Sequence, residues 1–146
     1  MIDLYTWSTA NGRKISILLE EMNIPYKVFD VDITNDEQFT KKFSLISASN
    51  KIPAIVDNEN GKSIFESGAI MLYLATKHNQ FIPEKYYWEI MKWFFFQISQ
   101  VGPFLGQAHQ YLFYHSGRSP FAEKKSKNYV KRIYETLDNR LSESIY

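Results

Sequence analysis

The chain has 146 residues, a length that predicts one ordinary domain or a small domain followed by part of another. Of these residues 45% are hydrophobic and 23% are charged, a composition that predicts folding around an apolar core. Its formal net charge of +1, from 17 basic and 16 acidic residues, gives no reason to expect a nucleic acid or an anionic membrane as partner. Cysteine is absent from the sequence, which excludes disulfide bonds, thiolate metal sites and a protein thiol as nucleophile.

Signals for a membrane span, a leader peptide or a metal site are also missing from the sequence. No apolar run approaches the ~20 residues that cross a bilayer. The opening segment, MIDLYTW, has neither a basic nor an apolar leader pattern. The three histidines, His78, His109 and His115, lack the mutual spacing of metal ligands. We therefore expect a soluble, cytoplasmic protein that binds no metal.

The chain begins with the pattern of a β-α-β unit. Residues 2–7 (IDLYTW) are typical of a short strand, and STANG after them of a turn rich in helix-capping residues. A helix should follow, because apolar residues recur at i, i+3, i+4 and i+7: Ile15, Leu18, Leu19 and Met22. Pro25 should end it. Residues 27–33 alternate polar and apolar side chains like a strand with one buried face, and the short helical connection predicts parallel pairing.

The next segments complete a four-stranded pattern. Residues 34–51 are polar and predict an irregular segment with one short helix. IPAIVD and KSIF, separated by NENG, predict a β-hairpin. SGAIMLYLATKH, from Ser67, predicts a helix. The order β-α-β-(α)-β-β-α is that of a thioredoxin-like α/β domain, in which helices cover both faces of a mixed sheet.

Beyond residue 83 the sequence predicts helices only. We expect a thioredoxin-like domain over residues 1–77, a linker over 78–83 and an all-α domain over 84–146. Pro103 should interrupt the first long helix, because proline removes a donor and clashes with the preceding turn. Ser119 and Pro120 have the pattern of an N-cap followed by proline at the first helical position.

Several segments resemble glutathione transferases: LYTWSTANGRKISILLEE, NKIPAIVD, FESGAIMLYLA and GPFLGQAHQY. The likeness is close to the Nu-class subgroup, which is related to the yeast nitrogen regulator and has disulfide-bond reductase activity, and it covers essentially the whole chain. Members of that family continue for several more helices. The resemblance therefore implies an incomplete helical domain here, as a natural truncation or as a fragment of a longer protein.

Glu66 and Ser67 stand where a strand turns into a helix, and both suit the first turn of a helix, whose free N–H groups attract anions. The resemblance implies that Ser67 binds the γ-glutamyl carboxylate of glutathione and that Glu66 accepts its ammonium. The alternative is a simple capping pair. Ile52 would pair its backbone with the cysteinyl residue of glutathione, as in strand addition. The resemblance also implies a cis bond between Ile52 and Pro53.

Thr9 and Asn11 lie between the first strand and the first helix, where a hydroxyl and an amide can donate to a thiolate. The resemblance assigns them this catalytic role, and the alternative is an ordinary helix cap. Ser8 is a rival, because other transferase classes use a serine in this loop. Tyr5 is a weaker rival, since strand alternation favours a packing role for it.

Three further residues are implied at the ends of glutathione. Gln38 and Lys51 would bind the glycyl end, and Arg132 would lie near a glutathione carboxylate. Without the resemblance, a solvated surface charge is the usual interpretation of a lone lysine or arginine.

The resemblance implies a glutathione-dependent enzyme that reduces a disulfide or a peroxide, and in a chain without cysteine two bound glutathiones could supply both sulfurs of a disulfide. The alternatives are a transferase that conjugates glutathione to electrophiles and a non-catalytic glutathione-binding or regulatory module. Glutathione would be the co-substrate, and the partner would be a small disulfide, peroxide or electrophile. Because the helical segment carries apolar stripes that two helices cannot cover, we also expect a homodimer.

Overall fold

The computed structural model describes residues 1–144. The chain divides into two compact units, Met1–Lys85 and Tyr86–Tyr146. The predicted boundary at the linker over 78–83 stays a prediction. Across residues 1–144, none of the helices combines the length and the apolar character that crossing a membrane requires.

The first unit is built on a four-stranded mixed sheet with the strand order β2-β1-β3-β4. β1 pairs with β2 in parallel, whereas β3 is antiparallel to both β1 and β4. The predicted thioredoxin-like α/β fold is confirmed. The elements in chain order are β1 (Ile2–Thr6), α1 (Ala10–Glu21), β2 (Tyr26–Asp30), a 3-10 turn (Glu37–Phe39), α2 (Lys41–Ser44), β3 (Ala54–Asp57), β4 (Lys62–Phe65) and α3 (Ser67–His78).

Helices cover both faces of this sheet. Neighbouring strand residues point to opposite sides, so each face presents its own set of side chains to a helix. Leu4 of β1 is fully buried on the face covered by α1 and α3, where it packs with Ile15 and Leu74. Phe43 of α2 is buried on the opposite face. Burying each large apolar side chain stabilises the fold by ~1.5–3 kcal/mol. The apolar spacing that predicted α1 and α3 is therefore the spacing that builds the larger core.

β2 is shorter than the sequence predicted: it ends at Asp30 rather than at residue 33. The reason lies in Asp32, whose Oδ1 accepts hydrogen bonds from the backbone N–H and the hydroxyl of Thr34, at 2.8 and 2.6 Å. This side chain turns the backbone away from the sheet. β2 also forms the edge of the sheet, and Val28 is 48% exposed.

Gly12 lets α1 approach the end of β1. It is buried, and a Cβ at this position would lie only 2.7 Å from the carbonyl oxygen of Trp7. Backbone atoms at that distance cannot be displaced without moving the strand or the helix. The start of α1 is therefore held close to the loop that carries Thr9.

The second unit is helical, and it leaves regular α geometry twice. α4 spans Tyr87–Phe96, α5 spans Gly102–His109 and α6 spans Pro120–Glu143. A 3-10 turn, Glu84–Tyr86, precedes α4, and π-helical turns at Gln97–Val101 and Gln110–Tyr114 flank α5. The first of these turns ends two residues before Pro103, close to the interruption that the sequence predicted.

The N-cap predicted for the last helix is confirmed. Ser119 adopts an extended conformation, and its hydroxyl accepts a hydrogen bond from the N–H of Ala122, with Pro120 at the first helical position. On α6, Ile133 is 2% exposed, whereas Leu141 is 54% exposed. One part of the apolar stripe is therefore covered by the described residues and another part is open.

Candidate functional site

A cavity of about 460 Å³ opens in the first unit, within the ~300–1,000 Å³ range of small-ligand pockets. It is lined by Thr9, Asn11, Ile33, Gln38, Phe39, Ser49, Asn50, Lys51 and Ile52. Five of these residues are ones that the sequence proposed as glutathione contacts. They come from three separate stretches of the chain, which the fold brings to one place.

Thr9 and Asn11 present hydrogen-bond donors at the start of α1. Thr9 is the N-cap, and its Oγ1 accepts from the N–H of Gly12 at 3.2 Å, so the proton of the hydroxyl remains available to donate. The Oδ1 of Asn11 accepts from the ammonium of Lys14 at 3.0 Å, which leaves the amide N–H groups available. The positive end of the helix dipole adds to both. This arrangement suits an anion such as a thiolate.

The two rival residues line other cavities. Ser8 lies in a cavity with Trp7 and Arg13, and its hydroxyl accepts from the guanidinium of Arg13 at 3.4 Å. Tyr5 stacks on Phe29 with ring centroids 4.9 Å apart, and burial and the nearby Asp3 raise its pKa. A phenol with a raised pKa remains protonated. Neither side chain lines the cavity that contains Thr9 and Asn11.

Gln38 carries a buried acceptor without a partner. Its Nε2 donates to Oδ1 of Asp36 at 3.4 Å, which fixes the orientation of the amide, because a flipped amide would place two oxygens together. Its Oε1 is buried, and no donor among residues 1–144 reaches it. Buried polar atoms are nearly always hydrogen-bonded in folded proteins. This oxygen is closed to solvent, so other atoms of Gln38 line the cavity.

The loop before β3 presents Lys51 and Ile52. Ser47 is fully buried, and its hydroxyl donates to the carbonyl of Lys51 at 2.9 Å and accepts from its N–H at 3.4 Å. The backbone N–H and C=O of Ile52 form no hydrogen bond with any residue from 1 to 144. The ammonium of Lys51 is exposed and forms no salt bridge within the same range. A ligand with an extended backbone and a carboxylate would match these groups.

Glu66 and Ser67 lie beside this loop, although they do not line the cavity. Ala54 pairs with Phe65 at the end of the β3–β4 ladder, so Pro53 and Glu66 are the residues that adjoin this last pair. The bond between Ile52 and Pro53 is cis, as the resemblance implied. Glu66 has φ 69° and ψ 120°, and its side chain makes no capping hydrogen bond. Non-glycine residues with positive φ are uncommon and cluster at functional sites.

Comparison with known proteins decides the family. The family model for the N-terminal domain of glutathione S-transferase matches residues 2–76, which is just over half of the chain. The chain belongs to the glutathione S-transferase family. The disulfide-bond oxidoreductase YfcG of Escherichia coli (strain K12) is 40% identical over 99% of the chain, and the chain covers 70% of its length.

Two other proteins with marked similarity are longer than this glutathione S-transferase family member. Protein URE2 of Candida albicans is 37% identical over 93% of the chain. The crystal structure of a glutathione transferase from Pseudomonas putida, with one glutathione disulfide bound per subunit, is 35% identical over 97% of the chain, with a TM-score of 0.90. The chain spans 42% of the Candida protein and 65% of the Pseudomonas chain.

Arg132 lies outside the first unit of this glutathione S-transferase family chain. It is exposed on α6 and borders a shallow groove with Asn128, Lys131 and Glu135. Its proposed contact with a glutathione carboxylate stays a prediction. No group of three His, Asp or Glu side chains in residues 1–144 could hold a metal ion.

Four polar residues in or near the cavity of this transferase-family protein escaped the sequence reasoning. Lys14 contacts Asn11 from the next turn of α1, and the i, i+3 spacing on a helix could have indicated that contact. Ser47 holds Lys51 through a loop conformation that no local pattern predicts. Ser49 and Asn50 line the cavity without having been named as candidates.

Proposed function

We propose that this protein binds glutathione in the cavity of its first unit and uses it to reduce a small disulfide or a peroxide. The observation that carries this proposal is the cavity itself, which brings together Thr9, Asn11, Gln38, Lys51 and Ile52. Two of them supply donors for a sulfur. The other three supply a side-chain amide, a cation and a free stretch of backbone.

Each part of glutathione has a complement among these groups or at the start of α3. The cysteinyl backbone pairs with the N–H and C=O of Ile52, which have no other partner among residues 1–144. The glycyl end meets the ammonium of Lys51 and the side-chain amide of Gln38, since both residues line the cavity. The γ-glutamyl carboxylate binds at the N-terminus of α3, at Ser67, and its ammonium at Glu66.

The sulfur is held as a thiolate by the hydroxyl of Thr9 and the amide of Asn11. A free cysteine thiol has a pKa of ~8.5 and is a tenth or less ionised near neutral pH, and each unit by which the site lowers that pKa corresponds to ~1.4 kcal/mol. Hydrogen bonds to the charged form, at the positive end of a helix, act in that direction. The protein therefore contributes thiolate stabilisation and alignment and forms no covalent bond of its own.

The proposed reaction balances without any other redox group. The bound thiolate attacks one sulfur of the disulfide, the S–S bond breaks, and the departing thiolate takes up a proton from solvent. A second glutathione thiolate then attacks the mixed disulfide and releases glutathione disulfide and the second thiol. Two glutathiones supply two electrons, which is what reduction of one disulfide requires. Because reduced glutathione dominates in the cytosol, we place the reaction there.

The similarities to known proteins support disulfide reduction and one alternative reaction. The 40% identical Escherichia coli relative is named a disulfide-bond oxidoreductase, which favours disulfide chemistry. The Pseudomonas relative is named a glutathione transferase, which favours conjugation of glutathione to an electrophile as the second candidate. The same cavity and the same thiolate serve both reactions, so the bound co-substrate makes the difference.

A coupled assay tests the reaction. Glutathione disulfide formation is followed through glutathione reductase and NADPH, with 2-hydroxyethyl disulfide, cumene hydroperoxide or 1-chloro-2,4-dinitrobenzene as partner, the last read directly as conjugate. We expect disulfide or peroxide turnover in the wild type and its loss in the Thr9→Ala, Asn11→Ala double variant. Conjugation alone would favour the second candidate. Glutathione binding without any turnover would identify a non-catalytic binding module and refute the enzymatic proposal.

We also propose a homodimer. Phe95 and Leu141 are 56% and 54% exposed, and Ile98 is 36% exposed. Leaving several large apolar side chains open is unfavourable, because burying each is worth ~1.5–3 kcal/mol. A second copy that covers these surfaces would remove that cost. Light scattering on the purified chain decides this proposal, and a stable monomer at micromolar concentration would contradict it.

A further inference from the structure

A lysine that does not line the cavity contacts the residue proposed to hold the thiolate. The ammonium of Lys14 donates to Oδ1 of Asn11 at 3.0 Å. Both residues lie near the start of α1, three positions apart, and therefore on one face of the helix. Asn11 lines the cavity, whereas Lys14 reaches it only through Asn11.

This contact determines which end of the Asn11 amide is free. A side-chain amide has an acceptor oxygen and a donor nitrogen on the same carbon, and rotation by half a turn exchanges them. With the oxygen held by an ammonium, the N–H groups are the ones left for a ligand. The opposite orientation would bring an N–H group against the ammonium and offer an oxygen to the ligand, which a thiolate would repel. The lysine thus favours the orientation that a thiolate needs.

The charge of Lys14 is also uncompensated within the described part of the chain. Lys14 is partly buried, and it forms no salt bridge with any carboxylate in residues 1–144. Lys77, by contrast, contacts both Asp57 and Glu59. Burial lowers the pKa of Lys14, which reflects the cost of holding a cation there without a counter-charge. An anion bound beside Asn11 would lower that cost.

We infer that Lys14 is a positioning residue, which orients the amide of Asn11 toward the glutathione sulfur and favours its thiolate form. This inference rests on the proposed function. Lys14 itself touches neither the sulfur nor the co-substrate. It acts mainly through Asn11, so most of its effect must disappear when the Asn11 amide is removed.

The test compares Lys14→Met with Lys14→Arg, which keeps both the donor and the charge. Lys62→Met is the matched control, because Lys62 is exposed on β4, its side chain has no hydrogen bond or ion pair among residues 1–144, and it does not line the cavity. The readouts are the affinity for glutathione by calorimetry, the pKa of the bound thiol from the ultraviolet absorbance of the thiolate, and the turnover number. The same variants are made in an Asn11→Ala background.

We expect Lys14→Met to raise the pKa of the bound thiol and to lower turnover near neutral pH by about threefold to tenfold, because a rise of one pKa unit cuts the thiolate fraction about tenfold. The affinity for glutathione should change much less. Lys14→Arg should restore the wild-type values, and Lys62→Met should match them. In the Asn11→Ala background, Lys14→Met should have a much smaller effect, since two residues that act as a unit are not additive and only the through-space attraction of the ammonium remains.

The possible outcomes distinguish a failure of this inference from a failure of the proposed function. If the wild type binds glutathione and Lys14→Met leaves the pKa of the bound thiol unchanged, the inference is overturned and the proposed function stands. An equal effect of Lys14→Met with and without Asn11 would also overturn it, because the lysine would then act independently. If the wild type binds no glutathione, the proposed function fails and takes this inference with it.

Discussion

The stability of the first unit should depend on pH through one buried carboxylate, Asp57, at the end of β3. Its side chain is fully buried. One oxygen, Oδ2, accepts from the hydroxyl of Tyr73 and from the ammonium of Lys77, both at 2.5 Å, and Oδ1 accepts from the N–H of Glu59 at 3.0 Å. Burial alone would raise the pKa of Asp57, but these hydrogen bonds outweigh it and lower the pKa to about 2 from the usual 3.8.

The sign and size of the effect follow from that shift. The folded protein holds the charged carboxylate more tightly than the unfolded chain does, so the stabilisation is fully present above about pH 4 and is lost as the pH falls toward 2. A shift from 3.8 to about 2 corresponds to about 2 kcal/mol of unfolding free energy. About 1 kcal/mol of it should already be lost at pH 3.

The measurement compares the wild type with Asp57→Asn by urea unfolding at pH 7, 5 and 3. We expect the wild type to be more stable by about 2 kcal/mol at pH 7, and the difference to shrink at pH 3, because asparagine does not titrate. Glu21→Gln is the matched control: Glu21 is exposed, and its side chain makes no hydrogen bond or ion pair within residues 1–144. Its effect should stay within ~0.5 kcal/mol. An equal difference between wild type and Asp57→Asn at pH 7 and pH 3 would refute the reasoning.

Three further changes give direct tests of the fold and the cavity. Gly12→Ala should lower the melting temperature by several degrees, because the added Cβ would lie 2.7 Å from the carbonyl oxygen of Trp7 and overpacking costs ~1–3 kcal/mol. An unchanged melting curve would show that the helix can shift freely. Gln38→Leu should weaken glutathione binding up to about tenfold in calorimetry, because it removes an amide that lines the cavity at the proposed glycyl end. Unchanged affinity would mean that this amide makes no hydrogen bond to glutathione. Ser119→Ala should lower the free energy of unfolding by ~0.5–2 kcal/mol through loss of the N-cap, measured by circular dichroism during urea unfolding. Ser119→Asp should retain most of the stability, and equal stability of the two variants would contradict the capping role.

Much of the fold could be predicted from the sequence, because its signals are local. Ile15 and Leu19 are four residues apart, a spacing that places both on one face of a helix, and the same holds for Ile70 and Leu74 in α3. Such a pattern can be recognised from the sequence alone. The hairpin is indicated by two apolar runs around a turn sequence, and the start of α6 by a capping serine before a proline. In each case the residues that determine the element lie within a few positions of one another.

The candidate site was only partly predictable, since its residues are distant in sequence. The motif residues Thr9, Asn11 and Ile52 could be named from family likeness, but only the β1–β3 pairing and the loop around Ser47 bring them to one cavity. The same holds for the unpaired oxygen of Gln38, because burial depends on what the whole unit packs around it.

The sequence by itself thus determined where helices and strands form, which face of each is apolar and which residue types can do thiolate chemistry. Only the tertiary structure decided where β2 ends, how Ser8 is separated from the cavity, and that Asp57 is buried between Tyr73 and Lys77. The physical reason is that hydrophobic periodicity is a property of neighbouring residues. Burial, hydrogen-bond satisfaction and pKa shifts depend on groups that the chain brings together from afar.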